Sequence, residues 1–184
     1  MKDKQIEKLI KKEKEHSKKV INLIASENYV SADVLMALGS VLTNKYAEGY
    51  PGARYYGGNE VIDEIENLCK KRALEVFKLD SKSWAVNVQP LSGSPANVAV
   101  YLALVPIGGN IMGMTLAHGG HLTHGHKVSI TGKVWKQIPY GVSRETEMLD
   151  FKELEALVKI DKPNIIVAGF TAYPRIIDFK KFRD

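Results

Sequence analysis

The chain predicts an α/β domain with a largely parallel sheet, preceded by a helical arm. Two observations carry that expectation. From residue 84 onward, short apolar runs alternate with amphipathic helical stretches in a strand–helix–strand rhythm. One of those runs, Ile165–Ala168, is apolar without alternation, as in a parallel strand buried on both faces. The bulk numbers agree. With 184 residues, 45% hydrophobic and 26% charged, the chain has the composition and length for one domain with a buried core.

The elements follow in order. Ile6, Leu9 and Ile10 recur at helical spacing within Lys4–Lys19, and Ser31 is placed to cap a second helix over Ala32–Leu42. A loop rich in glycine and tyrosine follows, NKYAEGYPGARYYGG, Asn44–Gly58. Asn59 is placed to cap the clearest helix, Glu60–Phe77, whose apolar side includes Val61, Ile62, Ile65, Leu68 and Cys69; Cys69 is expected as buried filler. Trp84–Val88 alternates as a strand. Ser94 and Pro95 read as N-cap and first residue of a helix through Leu104. Ile111–Met114 and Lys133–Ile138 are expected as further strands, and Asp150 with Glu153 as a capping pair for Phe151–Val158. The last residues, Asp178–Asp184, look like a helix just starting, so truncation of the domain is expected.

Charge and composition argue against several function classes. The net charge is +5, but residues 1–19 carry eight lysines against Asp3, Glu7, Glu13 and Glu15, and only five of the 26 basic residues are arginine. That is a solvated helix face, not the basic folded surface of a nucleic-acid reader. A single cysteine rules out an internal disulfide, and no apolar run reaches the length of a membrane span. The expected compartment is the cytoplasm, with no nucleic acid or membrane as partner.

Three stretches hold residues suited to chemistry. HGGHLTHGH places four of the five histidines within His118–His126. Glycines at 119, 120 and 125 argue against a regular helix that would converge them on a metal, and there is no HExxH. A glycine-rich turn with incidental histidines and an imidazole lying beside a ring cofactor both remain open. LSGSPAN, Leu91–Asn97, runs from a strand through Ser92, Gly93 and Ser94 into a helix, the pattern of an anion site; a plain serine cap is the alternative. The tyrosine-rich loop sets Glu48 among Tyr46, Tyr50, Tyr55 and Tyr56, suiting either an acid–base group or a dimer interface.

Taken together, NLIASENYVS (22–31), LTNKYAEGYPGARYYGG (42–58), NVQPLSGSPAN (87–97), AHGGHLTHG (117–125) and AGFTAYPR (168–175) strongly resemble serine hydroxymethyltransferase, in the family's order and spacing. The resemblance implies a fold-type-I transferase dependent on pyridoxal 5'-phosphate (PLP), with an aspartate-aminotransferase-like large domain. Residues 1–45 would form an arm with dimer contacts and 46–184 the first part of that domain. It further implies serine, glycine and tetrahydrofolate as substrates, in a homodimer or a tetramer of dimers. Ser92, Gly93 and Ser94 match the phosphate-holding motif, and His121 the imidazole stacked on the cofactor. Asn97 and Thr171 match cofactor contacts, Thr171 standing where Ser is common. Leu116, Gly120, His121 and Leu122 match the folate site, and Ser26 a substrate-carboxylate contact. Tyr46 and Glu48 match a pair lent to the neighbouring subunit, Glu48 as proton carrier, while Tyr55 and Tyr56 match residues beside substrate and folate. No metal is implied.

The resemblance puts the Schiff-base lysine, the Asp that pairs with the pyridinium and the Arg that grips the carboxylate beyond position 184; Gly125-His126-Lys127 only mimics the lysine motif. Residues 1–184 alone are therefore expected to be inactive and to leave a sheet with exposed apolar surface. Ala53 stands where Lys is common. The alternatives are a threonine-aldolase-type PLP enzyme, which needs no folate loop, a catalytically dead binding fragment, and a zinc module.

Overall fold

The computed structural model describes residues 1–184. Helix α1 (Lys4–Ser17) begins where Asp3 accepts hydrogen bonds from the N–H groups of Gln5 and Ile6. Helix α2 (Ala32–Leu38) is capped by Ser31 but ends four residues before the expected Leu42. Gly39 N–H closes on the Leu35 carbonyl and the Ser40 hydroxyl donates to Ala37, so the chain leaves the helix and makes one 3-10 turn over Val41–Asn44. No residue of α1 or α2 is buried.

Strands β1 (Gly49–Tyr50) and β2 (Ala53–Arg54) form a two-stranded antiparallel hairpin turning on Pro51-Gly52, with Gly52 at φ 76° as such a tight turn requires. Helix α3 (Glu60–Val76) follows. Asn59 stands at its start but makes no capping bond; its Nδ2 donates instead to the Tyr56 carbonyl at 2.8 Å. Cys69 is exposed, contrary to expectation, and so are Ile65 and Leu68 beside it, so this stretch of the apolar side of α3 is left uncovered. Trp84–Val88 is not a strand. Its alternation supplies a face, but a strand also needs a neighbour to complete its ladder, and these residues pair with none.

The sheet has three parallel strands in the order β4-β3-β5: β3 (Asn110–Met114), β4 (Lys136–Tyr140) and β5 (Ile165–Val167). Helix α4 (Gly93–Leu104) precedes β3, the short α5 (Ile130–Val134) joins β3 to β4, and α6 (Phe151–Asp161) joins β4 to β5. A last helix, α7 (Phe179–Arg183), starts at Asp178. The strand expected at Lys133–Ile138 thus lies three residues later at its start, because the Ser129 hydroxyl accepts from Thr131 N–H and begins a helical turn there. Asp150 caps α6 as expected, and the helix runs on to Asp161.

Both faces of β3 are covered. Met112 and Met114 pack with Ile138, Tyr140 and Leu154 of α6 on one side. Ile111 packs on the other with Trp135 and with Tyr101 and Val105 from the end of α4. Tyr101 meets Trp135 edge-on at 5.6 Å, and Trp135 Nε1 donates to the Val105 carbonyl at 3.3 Å. Outside this core the chain is open: it exposes 14336 Å², where a self-contained chain of 20.5 kDa exposes about 8,900 Å². The excess includes Ile21, Leu23, Leu35, Met36, Leu38 and Val41, so the arm presents apolar side chains to solvent. No helix is long and apolar enough to cross a membrane.

Candidate functional site

At the carboxyl ends of β3 and β5, where ligands of parallel sheets bind, lies an open cleft of about 440 Å³. Ser92, Gly93, Ser94 and Asn97 line it from the start of α4, His121 and His124 from the loop after β3, and Gly169, Phe170 and Thr171 from the loop after β5. The cleft thus gathers three of the motifs that the sequence singles out.

The start of α4 differs from expectation by two residues. Ser92, in extended conformation, holds the N-cap position, and Pro95 is the third helical residue, still within the turn whose N–H groups have no intrahelical acceptor. The Ser92 side chain makes no capping bond. Its hydroxyl is free for a ligand, beside the positive end of a 12-residue helix. Nothing lies within 4 Å of where a Cβ on Gly93 would stand, so an anion can approach the backbone there.

The histidine-rich turn is built around its glycines. Gly119 has φ 100°, and its carbonyl accepts from Thr171 N–H at 2.9 Å and Ala172 N–H at 3.0 Å, tying the loop after β5 to the loop after β3. A Cβ on Gly120 would strike the Met114 carbonyl. The histidines do not converge. His118 Nδ1 accepts from Val142 N–H at 3.1 Å, and His126 Nδ1 from Val128 N–H at 3.4 Å. His124 is buried, and its Nδ1 accepts from His121 N–H at 3.2 Å. Burial first, then repulsion from His121, holds His124 below the usual histidine range, against the Met114 carbonyl that favours its charged form. His121 Nδ1 lies 2.7 Å from Thr123 Oγ1 and 3.1 Å from the Thr123 backbone nitrogen, and Asn97 Nδ2 donates to the same hydroxyl at 2.8 Å. No three His, Cys, Asp or Glu side chains are arranged as metal ligands.

The tyrosine-rich loop lies apart from this cleft. Tyr46 and Glu48 border a second hollow with Lys45, Arg54, Glu66 and Gln89. Tyr46, Tyr55 and Tyr56 are exposed, as is Glu48, which is not enclosed as its aromatic neighbours suggested. Tyr46 meets Tyr56 edge-on at 5.6 Å. Beneath them Arg54 is nearly enclosed: Nε donates to Asp63, one terminal nitrogen to Glu66 at 2.7 Å, and the other to the carbonyls of Ala47 and Gly49. Gln89 Nε2 adds a bond to the Gly49 carbonyl at 2.8 Å. The Gly52 N–H, then Arg54, holds Asp63 below the usual carboxylate range. Burial opposes the charge on Glu66, but hydrogen bonds from Arg54, Lys70 and Gln89 outweigh it, so Glu66 is lowered as well.

Of the remaining expected residues, Ser26 sits on an exposed turn and Leu122 is exposed, while Gly120 is buried. Leu116 borders a third hollow with His118, Tyr173 and Arg175. Sequence reasoning missed Thr123, His124 and the Arg54 network. Thr123 had a legible signal: a threonine two residues after a histidine can reach its Nδ1.

The whole chain, residues 1–184, matches the family model described as serine hydroxymethyltransferase. A protein of that name from Caenorhabditis elegans is 52% identical over 98% of this chain and 37% of its own length. One from Borrelia duttonii (strain Ly) is 54% identical over 96% of this chain and 41% of its own. One from Koribacter versatilis (strain Ellin345) is 53% identical over 99% of this chain and 42% of its own. The chain spans about two fifths of the length of these relatives.

Proposed function

The chain belongs to the serine hydroxymethyltransferase family, and from that premise we propose that its cleft holds pyridoxal 5'-phosphate in an enzyme interconverting serine and glycine, with tetrahydrofolate as one-carbon acceptor. The observation that carries the reading is the meeting of Ser92, Gly93 and Ser94 with His121 and Thr171 in one cleft. A phosphate needs hydroxyl and N–H donors with no carboxylate nearby, and the cleft's lining contains neither Asp nor Glu. An aromatic ring needs a flat partner, which His121 supplies.

The bound cofactor would supply an electron sink that no protein side chain offers. The chain's own residues bind and orient. Ser92, Gly93 and Ser94 hold the phosphate, His121 lies against the ring, and Asn97 and Thr171 complete the cradle. Ser26 would meet the substrate carboxylate, and Leu116, Gly120, His121 and Leu122 the folate. Glu48 would carry the proton at the serine hydroxyl, with Tyr46, Tyr55 and Tyr56 around it. The exposure of these four, away from the cleft of their own chain, supports their donation to a neighbouring subunit, hence a homodimer or a tetramer of dimers. The exposed apolar side chains of the arm, residues 1–45, support dimer contacts there, and the parallel sheet of 46–184 fits the large domain of a fold-type-I PLP enzyme. The cytoplasm is the proposed compartment; among the relatives' names one carries the word cytosolic and another mitochondrial.

No lysine lines the cleft, so the lysine that anchors the cofactor covalently would come from outside this lining. The test is glycine α-proton exchange by the protein expressed from its own gene and supplied with PLP. Exchange that rises with added tetrahydrofolate supports the reading. Exchange indifferent to folate would turn it toward a threonine-aldolase type, and the absence of a cofactor absorbance band would overturn it.

A further inference from the structure

Thr123 is almost fully buried in the turn after β3, yet its hydroxyl is fully engaged, between Asn97 of α4 and the ring of His121. Hydrogen bookkeeping in this triad decides which nitrogen of His121 carries a proton. The Thr123 backbone N–H points at His121 Nδ1 at 3.1 Å, and a backbone amide can only donate. Nδ1 must therefore be an acceptor. The one proton of the Thr123 hydroxyl, 2.7 Å away, then also goes to Nδ1, because two acceptors would not attract. That leaves the hydroxyl oxygen to accept, which is what the Asn97 amide offers at 2.8 Å. Each assignment forces the next, and the amide proton of Thr123 anchors the series whichever way the Asn97 side chain is turned.

We propose that Thr123 is a positioning residue that fixes His121 as the Nε2–H tautomer. The ring then meets a ligand with one donor, Nε2–H, and with no basic nitrogen, since its only lone pair is taken by two protons from Thr123. His121 contributes stacking and donation, while proton abstraction falls to another group. The link also runs to the phosphate cup: Asn97 sits one helical turn after Gly93, so the helix that presents Ser92 and Ser94 sets the Thr123 hydroxyl, which sets the ring. The backbone of His121 is held independently, by its N–H to His124 Nδ1 at 3.2 Å. The side-chain network is therefore free to specify orientation and tautomer.

This inference rests on the proposed reading only for its consequence in the enzyme; the tautomer itself does not need the cofactor. The experiment is ¹⁵N NMR of the histidine rings in the protein expressed from its own gene, cofactor-free and then with PLP, with His121→Asn identifying the signal. A pyrrole-type Nε2 and a pyridine-type Nδ1 are expected for His121 in both states. Thr123→Ser should preserve them. Thr123→Val, close in shape but without the hydroxyl, should move the Nδ1 signal towards that of an unbonded pyridine nitrogen and lower kcat about tenfold at unchanged KM for serine, as for one lost hydrogen bond to a working group. A protonated Nδ1 in the unmodified protein overturns the proposal. So does a Thr123→Val ring spectrum identical to that of the unmodified protein. If the rings behave as expected but no PLP binds, the tautomer assignment stands and the proposed function falls.

Discussion

Arg54 Nε donates to Asp63 Oδ1 at 2.8 Å, and this bond fastens the β1–β2 hairpin to the first turn of α3. The Gly52 N–H at the hairpin's tip donates to the other oxygen of the same carboxylate, also at 2.8 Å. Asp63 therefore holds the loop at two points, and Glu66 at a third.

Replacing Arg54 with lysine keeps the charge but loses the planar fork that serves two carboxylates and two carbonyls at once. Arg54→Lys should leave the Asn44–Gly58 loop markedly more open to proteolytic cleavage than in the unmodified protein, and Arg54→Met more so. Cleavage at an unchanged rate in both variants would show that the loop is ordered by something else. Because Asp63 and Glu66 are lowered in the fold, the order they confer is complete above the ordinary carboxylate range and is lost as pH falls through it, near about pH 4 and below.

Gly113 on β3 leaves room for His124: a Cβ there would stand 2.7 Å from the His124 Cβ and 3.1 Å from its carbonyl oxygen. Neither neighbour can swing away, since the histidine is buried and Gln137 Nε2 donates to that carbonyl at 3.0 Å. Gly113→Ala should cost about 1–3 kcal/mol by overpacking. A urea midpoint equal to that of the unmodified protein would contradict this.

The fold favours the neutral ring of His124, which is held below its usual range chiefly by burial. Once unfolded it takes up its proton near about pH 6.5. The stability it contributes is therefore complete above that pH and drains as pH falls towards the lowered folded value, at no more than about 1.4 kcal/mol per pH unit. Urea midpoints measured down from neutral pH should fall less steeply for His124→Gln than for the unmodified protein; equal slopes would assign the acid sensitivity elsewhere.

The Tyr140 hydroxyl at the end of β4 donates to the Val167 carbonyl of β5 at 2.6 Å, across the end of β3. Burial pushes this phenol well above its ordinary range. Tyr140→Phe leaves the carbonyl short of a donor and should cost about 1–3 kcal/mol in denaturation by urea. An unchanged midpoint would mean that water reaches the carbonyl.

Local chemistry was the legible part of this chain. Asp150 and Ser31 announce their helices because a short polar side chain before an apolar run has one obvious use, and both cap as expected. Ile165–Ala168 reads as a buried parallel strand because nothing in it prefers water; Ile165–Val167 is a parallel strand, but it lies at the edge of the sheet and is only half-buried, since nothing pairs with its outer side. Trp84–Val88 misleads for the opposite reason: alternation records a face, and only a neighbour makes a strand. Cys69 misleads likewise, since helical spacing defines an apolar side of α3 without promising anything to cover it. At the site, the cup, His121 and Thr171 were visible as motifs, and the local reach of Thr123 to His121 could have been read, whereas its bond to Asn97 and the Arg54 network depend on how distant segments meet. Gln89 and the Gly49 carbonyl, 40 residues apart, show how far such a bond can reach.

Arg54 has one more consequence if, as proposed, a neighbouring subunit receives the tyrosines above it. Fixing a backbone residue costs about 1–2 kcal/mol of conformational entropy. Here much of that cost falls at folding, not at the encounter with a receiving surface. The loop arrives preorganised, as a finished tool rather than a loose thread, so a docking event has little left to order beyond the exposed side chains of Tyr46, Glu48, Tyr55 and Tyr56 themselves.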